Sequence, residues 1–336
     1  MKSKAIFKFG VIALSLVLVA CSGGSSDEVG CPVIENRKIN VVATTPMIGE
    51  FVNQVGGDNI NLTVIMPPEA DPHTYEPAPQ DAGTIADADL VFYTGLKYEP
   101  AAVVKLLENS ACSTDVLSEV GENVYPIEFK EEGHDDHDDE EGHEDEEGHD
   151  DHDGHEGHDH GAYDPHFWFD PNRVAYAAEY IEGKLVEFDP SNASSYEEAG
   201  SAYTDELKGL IGQVSNLIST VPSQNRKLIT THESLGYLEA KFGLEVLSTI
   251  IPSLDSANEI SPAQLVDVID VIEDNNIKVI FIESEAPSVY AETIVSETGI
   301  KAVEGLWVET LKTGQSYPDF LISAVELIVE NLRNTD

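Results

Sequence analysis

Three of the 11 histidines in this chain stand apart from the acidic tract that holds the rest: His73 in PHTYEP, His166 in DPHFWFD and His232 in THESLGY. A lone histidine in such a place is ordinarily a satisfied surface or core residue. Three together, none on a regular amphipathic helix face, point instead to metal coordination. His73 follows an apolar run ending at Met66, and His232 follows the run KLITT. Both therefore sit where parallel α/β sheets place ligands, beyond the carboxyl ends of strands.

Two carboxylates compete for a fourth place: Glu283, which ends the run VIFIE, and Glu309, just after KAVEGLW. Each is equally readable as a helix cap or a solvated loop acid. Three imidazoles and one carboxylate suit a borderline cation in tetrahedral coordination. That describes Zn2+ better than Mn2+, whose preference runs toward oxygen, and leaves manganese and iron as the alternatives. Asp71 and Asp164, two residues before His73 and His166, are placed to orient the other ring nitrogens or the loops themselves. A three-histidine site with an open fourth position would also activate water for hydrolysis. No HExxH helix and no nucleophile pairing accompany it, so an enzyme is not expected.

Apolar runs of strand length alternate with helix-length segments, which is the pattern of parallel sheets covered by helices. The first four runs are INVVATTP, INLTVIMP, LVFYTG and the weaker VYPI at 124–127, with helices near 47–55, 78–88 and 99–109. The second four are KLITTH, LEVLSTII, VIFIES and KAVEGLW, with helices near 261–275, 288–298 and 318–333. Between the two sets lies a helix near 172–187. Asp189 and Pro190 then open a longer one that Pro222 ends. The spacing of Tyr196, Ala199, Tyr203, Leu207, Leu210, Val214 and Leu217 keeps them on one face of that helix. The reading is an α/β chain of two lobes, each with a four-stranded parallel sheet flanked by helices, joined by a long backbone helix. The lobes are 39–188 and 222–336, with 189–221 between them.

The amino terminus reads as an export signal over residues 1–20: Lys2, Lys4 and Lys8 precede an apolar stretch from Phe9 to Ala20 that is too short to span a bilayer. The sequence LVAC resembles a bacterial lipobox, which makes Cys21 the lipidated first residue of a tether over 21–38 and places the protein outside the cytoplasm, facing a periplasm or the cell exterior. Cys31 and Cys112 remain, an even pair in an exported chain, which suggests one disulfide between the start of the fold and a loop in its first half, with two unpaired thiols as the alternative. The net charge of −45 argues against nucleic acid and anionic lipid surfaces and makes cations the natural clients. Residues 131–160 contain only 17 acids, 8 histidines and 5 glycines. With nothing to bury, this tract is expected to be a disordered surface insertion that touches metal ions loosely.

PHTYEP, DPHFWFD directly after the acidic tract, and THESLGY after the long helix, in that order, resemble the metal-specific solute-binding lipoproteins of ABC importers known as cluster A-I, whose zinc members carry a His-rich acidic loop. The resemblance covers nearly the whole mature chain. It implies a metal held in the cleft between two lobes by His73, His166, His232 and a carboxyl-terminal carboxylate. That carboxylate, usually an aspartate, falls on Glu309 in WVETL. Manganese members tend to carry a carboxylate in place of the third histidine, so His232 implies zinc. The resemblance further implies an ABC transporter permease as partner and a membrane-anchored, monomeric receptor. A metal-storing surface adhesin is the alternative.

Overall fold

The computed structural model describes residues 31, 37–129, 163–285 and 289–333. The export segment, Cys21 and the acidic tract 131–160 lie outside them. No helix among the described residues is long and apolar enough to cross a membrane.

The first lobe is built from β1 (Ile39–Ala43), α1 (Pro46–Gly56), β2 (Ile60–Val64), α2 (Pro79–Ala86), β3 (Leu90–Tyr93), α3 (Ala101–Ser110) and β4 (Leu117–Glu119). Its strands form one parallel sheet in the order β2-β1-β3-β4. β1 and β3 are its central strands and are buried on both faces, which explains their near-continuous apolar sequences. α1 starts where Thr45 Oγ1 accepts the Ile48 N–H at 3.2 Å, with Pro46 in the first turn.

The fourth strand is not the expected VYPI. Val124 ends a 3-10 turn at Gly121–Val124, and Tyr125 is in the left-handed region with φ of 55°. The edge position is taken by LSE at 117–119, in which only Ser118 is buried. A three-residue edge strand has one neighbour and needs no hydrophobic run, so apolar patterning does not reveal it.

α4 (Pro171–Phe188) and α5 (Ala193–Ser219) join the lobes. Asp189 does not cap α5 directly. A 3-10 turn at Pro190–Asn192 intervenes, and the Asp189 carboxylate ties it down by accepting Ser191 Oγ, Asn192 Nδ2 and Tyr196 OH. The 27 residues of α5 make a rod of about 40 Å. Its buried stripe is Tyr196, Gly200, Tyr203, Leu207, Leu210, Val214 and Ile218. The stripe drifts one residue from the expected Ala199 and Leu217 because α1, α4 and α9 (Tyr317–Leu332) all pack on it and widen the contact face.

The second lobe contains β5 (Lys227–His232), α6 (Gly236–Phe242), β6 (Glu245–Ile251), α7 (Pro262–Asp274), β7 (Val279–Glu283), α8 (Tyr290–Thr298) and β8 (Lys301–Leu306). Its strands form two parallel pairs, β5 with β6 and β7 with β8, and β5 lies beside β7. The short helix α6 was not anticipated, since seven residues give too few turns for a periodic pattern.

One apolar cluster runs through both lobes and includes Phe51, Phe167, Trp168, Phe169, Leu207, Phe281, Tyr317 and Phe320. Trp168 Nε1 donates to Val308 O at 2.8 Å, and Tyr317 OH donates to Trp168 O at 2.7 Å. The segment after His166 is thereby fastened to the carboxyl-terminal part of the chain. Cys31 and Cys112 are joined by a disulfide that ties the start of the fold to the end of α3.

Candidate metal centre

Four side chains meet at the carboxyl ends of the strands: His73, His166, His232 and Glu309, whose donor atoms all lie within 4.8 Å of one another. Glu309 Oε1 is the common point, 3.3 Å from His73 Nε2, 3.3 Å from His166 Nε2 and 2.7 Å from His232 Nε2. A tetrahedral ion with bonds of about 2.0–2.1 Å spaces its ligand atoms by about 3.3 Å, so this set needs only small shifts to hold one. His232 Nε2, despite its short distance to Glu309, is buried and out of alignment for a hydrogen bond with any described residue. A buried ring nitrogen without a hydrogen-bond partner, close to two other imidazoles and a carboxylate, fits an electrophile placed among them.

Each donor is set by its local chain. His73 lies in the loop after β2, where Asp71 Oδ1 accepts its backbone N–H at 2.9 Å. His166 follows Asp164, whose Oδ1 is 2.8 Å from both the His166 backbone nitrogen and Nδ1. Gly236 leaves room for the Asp164 carboxylate, since a Cβ there would stand 2.7 Å from Asp164 Oδ2. His232 is the last residue of β5, and its Nδ1 makes a short contact with Glu283 Oε2 at the end of the adjacent β7. Glu283 Oε1 also accepts Ser234 Oγ at 3.1 Å. Glu309 is held by Tyr98 OH, 3.0 Å from Oε2 and 2.9 Å from the Glu309 carbonyl oxygen. Tyr98 is delivered by a tight loop in which Gly95 has φ of +77° and sits against Glu119.

Glu283, the competing carboxylate, is thus behind His232 and not among the four converging donors. Asp164 orients the His166 ring, whereas Asp71 holds the His73 backbone. Among the described residues, the carboxylate beside His73 Nδ1 is that of Asp255, with Oδ1 at 3.8 Å, half-exposed and in the second lobe. Sequence reasoning missed Tyr98, Asp255 and Glu285, which belong to irregular loops without periodic signal.

Burial by itself lowers the basicity of His166, but the carboxylates of Glu309 and Asp164 outweigh it and push the imidazole up to about 9. His232 follows the same balance, with burial opposed by Glu283 and Glu309, and lies well above its ordinary value. Burial raises the Glu309 carboxyl, yet the charges of His166, His73 and His232 hold it well below the usual range. Glu285 is pushed up to about 8 by burial and by the neighbouring Glu309 charge. In the ion-free centre the His166 and His232 rings therefore favour the protonated form and Glu309 the carboxylate. His73 alone borders a cavity of about 240 Å3, lined also by Lys97, Phe129, Pro165 and Asp255.

The model of the family described as "Zinc-uptake complex component A periplasmic" matches residues 41–331. The manganese ABC transporter substrate-binding lipoprotein PsaA of Streptococcus mitis is 26% identical over 328 residues, covering 94% of this chain and 95% of that protein. The periplasmic zinc-binding protein TroA of Treponema pallidum superposes with a TM-score of 0.72 at 22% identity, over 88% of this chain and all of TroA. Fe(III)-bound YtgA of Chlamydia trachomatis superposes with the same score at 22% identity, over 88% of this chain and 98% of YtgA. With the family matched from the first strand to the last helix, the chain belongs to the zinc-uptake complex component A family, the extracytoplasmic metal-binding receptors of ABC importers.

Proposed function

We propose that this chain captures Zn2+ between its lobes with His73, His166, His232 and Glu309 and delivers it to an ABC importer permease. The observation that carries the reading is the donor set: three imidazole nitrogens and one carboxylate oxygen within 4.8 Å. Nitrogen-rich, four-donor sites favour zinc over manganese, which sits at the weak end of the divalent affinity order and takes more oxygen ligands. A third histidine at position 232 supports the same choice. The relatives named for manganese and iron define the competing reading, in which the same cleft carries one of those ions.

The protein acts as a monomer tethered through a lipid on Cys21, and the tract at 131–160 gathers ions weakly near the cleft. Phe129, the last described residue before the tract, lines the cavity that reaches His73. Release follows when the permease separates the lobes, since a ligand set divided between them loses affinity once they move.

The test is metal analysis of protein purified from medium containing zinc, manganese and iron, wild type beside His232→Ala. One zinc per chain in the wild type and a large loss in the variant is the expected result. Manganese or iron at that stoichiometry would overturn the zinc assignment. Growth indistinguishable from the parent in zinc-limited medium after deletion of the protein would favour a storage or adhesive role.

A further inference from the structure

We propose that Glu285 is the positioning residue for the fourth donor: it gathers the backbone N–H groups on either side of Glu309 and so aims that side chain at the three imidazoles. Glu285 Oε1 accepts from Val308 N at 3.0 Å, Glu309 N at 3.1 Å and Thr310 N at 3.4 Å. Three consecutive N–H groups turned toward one oxygen form a backbone nest, a concavity that holds an anion. The segment after β8 is irregular, and its buried amides have no ladder to join. Without Glu285 those three N–H groups would be left unpaired, at the full desolvation cost of each.

The other oxygen of Glu285 has no such role. Oε2 is buried and has no hydrogen-bond partner among the described residues. The carboxylate is thus committed one-sidedly to the nest, and Oε1 cannot serve as a metal donor while three N–H groups occupy it. While the amides of 308–310 are held by Glu285, the Glu309 side chain reaches His166 and His232.

The two holds on Glu309 also differ in origin. Tyr98, which grips Oε2 and the carbonyl oxygen, comes from the first lobe. Glu285 follows β7 in the same lobe as Glu309. Separating the lobes removes the Tyr98 contact and leaves the nest intact, so Glu285 keeps the donor aimed in the open receptor.

This inference rests on reading Glu309 as a metal ligand, and the experiment separates the two. Zinc affinity is measured by chelator competition for the full chain as wild type, Glu285→Gln, Glu285→Asp and Glu285→Ala, with the Co2+ absorption spectrum of each. Gln keeps a carbonyl acceptor for the nest and is expected to bind within about threefold of wild type. Ala is expected to lose about 10- to 100-fold, the usual effect of removing a group that orients a ligand. Its Co2+ bands should weaken as the four-coordinate geometry is lost, a change that a general loss of stability would not produce. Asp, one methylene shorter, should fall between.

Should the Ala variant not fold, the order Gln tighter than Asp carries the test. Wild-type affinity and an unchanged Co2+ spectrum in Ala, or in Asp if Ala does not fold, would overturn the role of Glu285. So would equal losses in Gln and the other variants. A wild type that binds manganese or iron and no zinc would instead overturn the zinc assignment, and the series would then be read with the ion it does bind; a wild type that binds no metal would overturn the ligand reading.

Discussion

At the scale of single residues, the centre is a set of charge balances held by buried acids. Asp164 fixes the ring of His166 through Nδ1 and its backbone through N–H, so Asp164→Ala should weaken metal binding by about 10- to 100-fold in a chelator competition. Asp71→Ala, which releases only a backbone contact of the partly accessible His73, should cost less in the same assay. The rings of His166 and His232 favour the protonated form in the ion-free protein, and a metal needs them neutral, so binding releases protons. Titration calorimetry in buffers of different ionisation heat should show an apparent enthalpy that follows the buffer.

The stability of the ion-free protein has a definite sign as well. His166 rises from 6.5 in the unfolded chain to about 9 in the fold, so its contribution is complete below 6.5 and is lost as pH climbs through 9. Glu285, raised to about 8, acts in the same direction. Glu309, held low, contributes above the ordinary carboxylate range and loses its share only in strong acid. The melting temperature of ion-free protein should therefore fall between pH 6.5 and 9.5, and the zinc-loaded protein should lose much less.

At the scale of elements, strands buried on both faces and helices of three turns or more were legible as apolar runs and stripes. What escaped was short or at an edge. β4 has three residues and α6 seven, lengths at which neither period repeats. The long helix α5 was readable because its stripe recurs over 27 residues, and its heaviest contacts are testable. Leu207→Ala, fully buried between the lobe-joining helices, should cost about 2–5 kcal/mol in denaturant unfolding. The Cys31–Cys112 bridge spans 81 residues and touches none of the metal donors. Replacing both cysteines by serine should destabilise the fold by about 2–5 kcal/mol and leave zinc affinity unchanged.

At the scale of the whole molecule, one apolar cluster running through both lobes and the hydrogen bonds of Trp168, Tyr317 and Tyr98 argue for small relative motion. A closed site of this kind binds tightly and opens only against those contacts, which suits a receptor whose release is assisted by a partner. The proposed gathering of ions by the acid- and histidine-rich tract is a separate capacity with its own test. Deleting residues 131–160 should leave one tight zinc site and remove the weak ones in a calorimetric titration. An unchanged total stoichiometry would take the tract out of metal binding.

By itself the sequence determined the three motif histidines, the alternation of strand and helix, the long connecting helix and the field of negative charge, because each is a local pattern of residue type and spacing. The family resemblance favoured Glu309 over Glu283, and only the tertiary structure shows which of the two faces the three imidazoles. Both end or follow apolar runs, and their roles differ because β7 lies beside β5, which turns Glu283 onto the back of the His232 ring, while the segment after β8 carries Glu309 to the front of all three rings. Coordination is a matter of convergence through space. Residues far apart in the chain meet at one point only after packing has set every strand end at once.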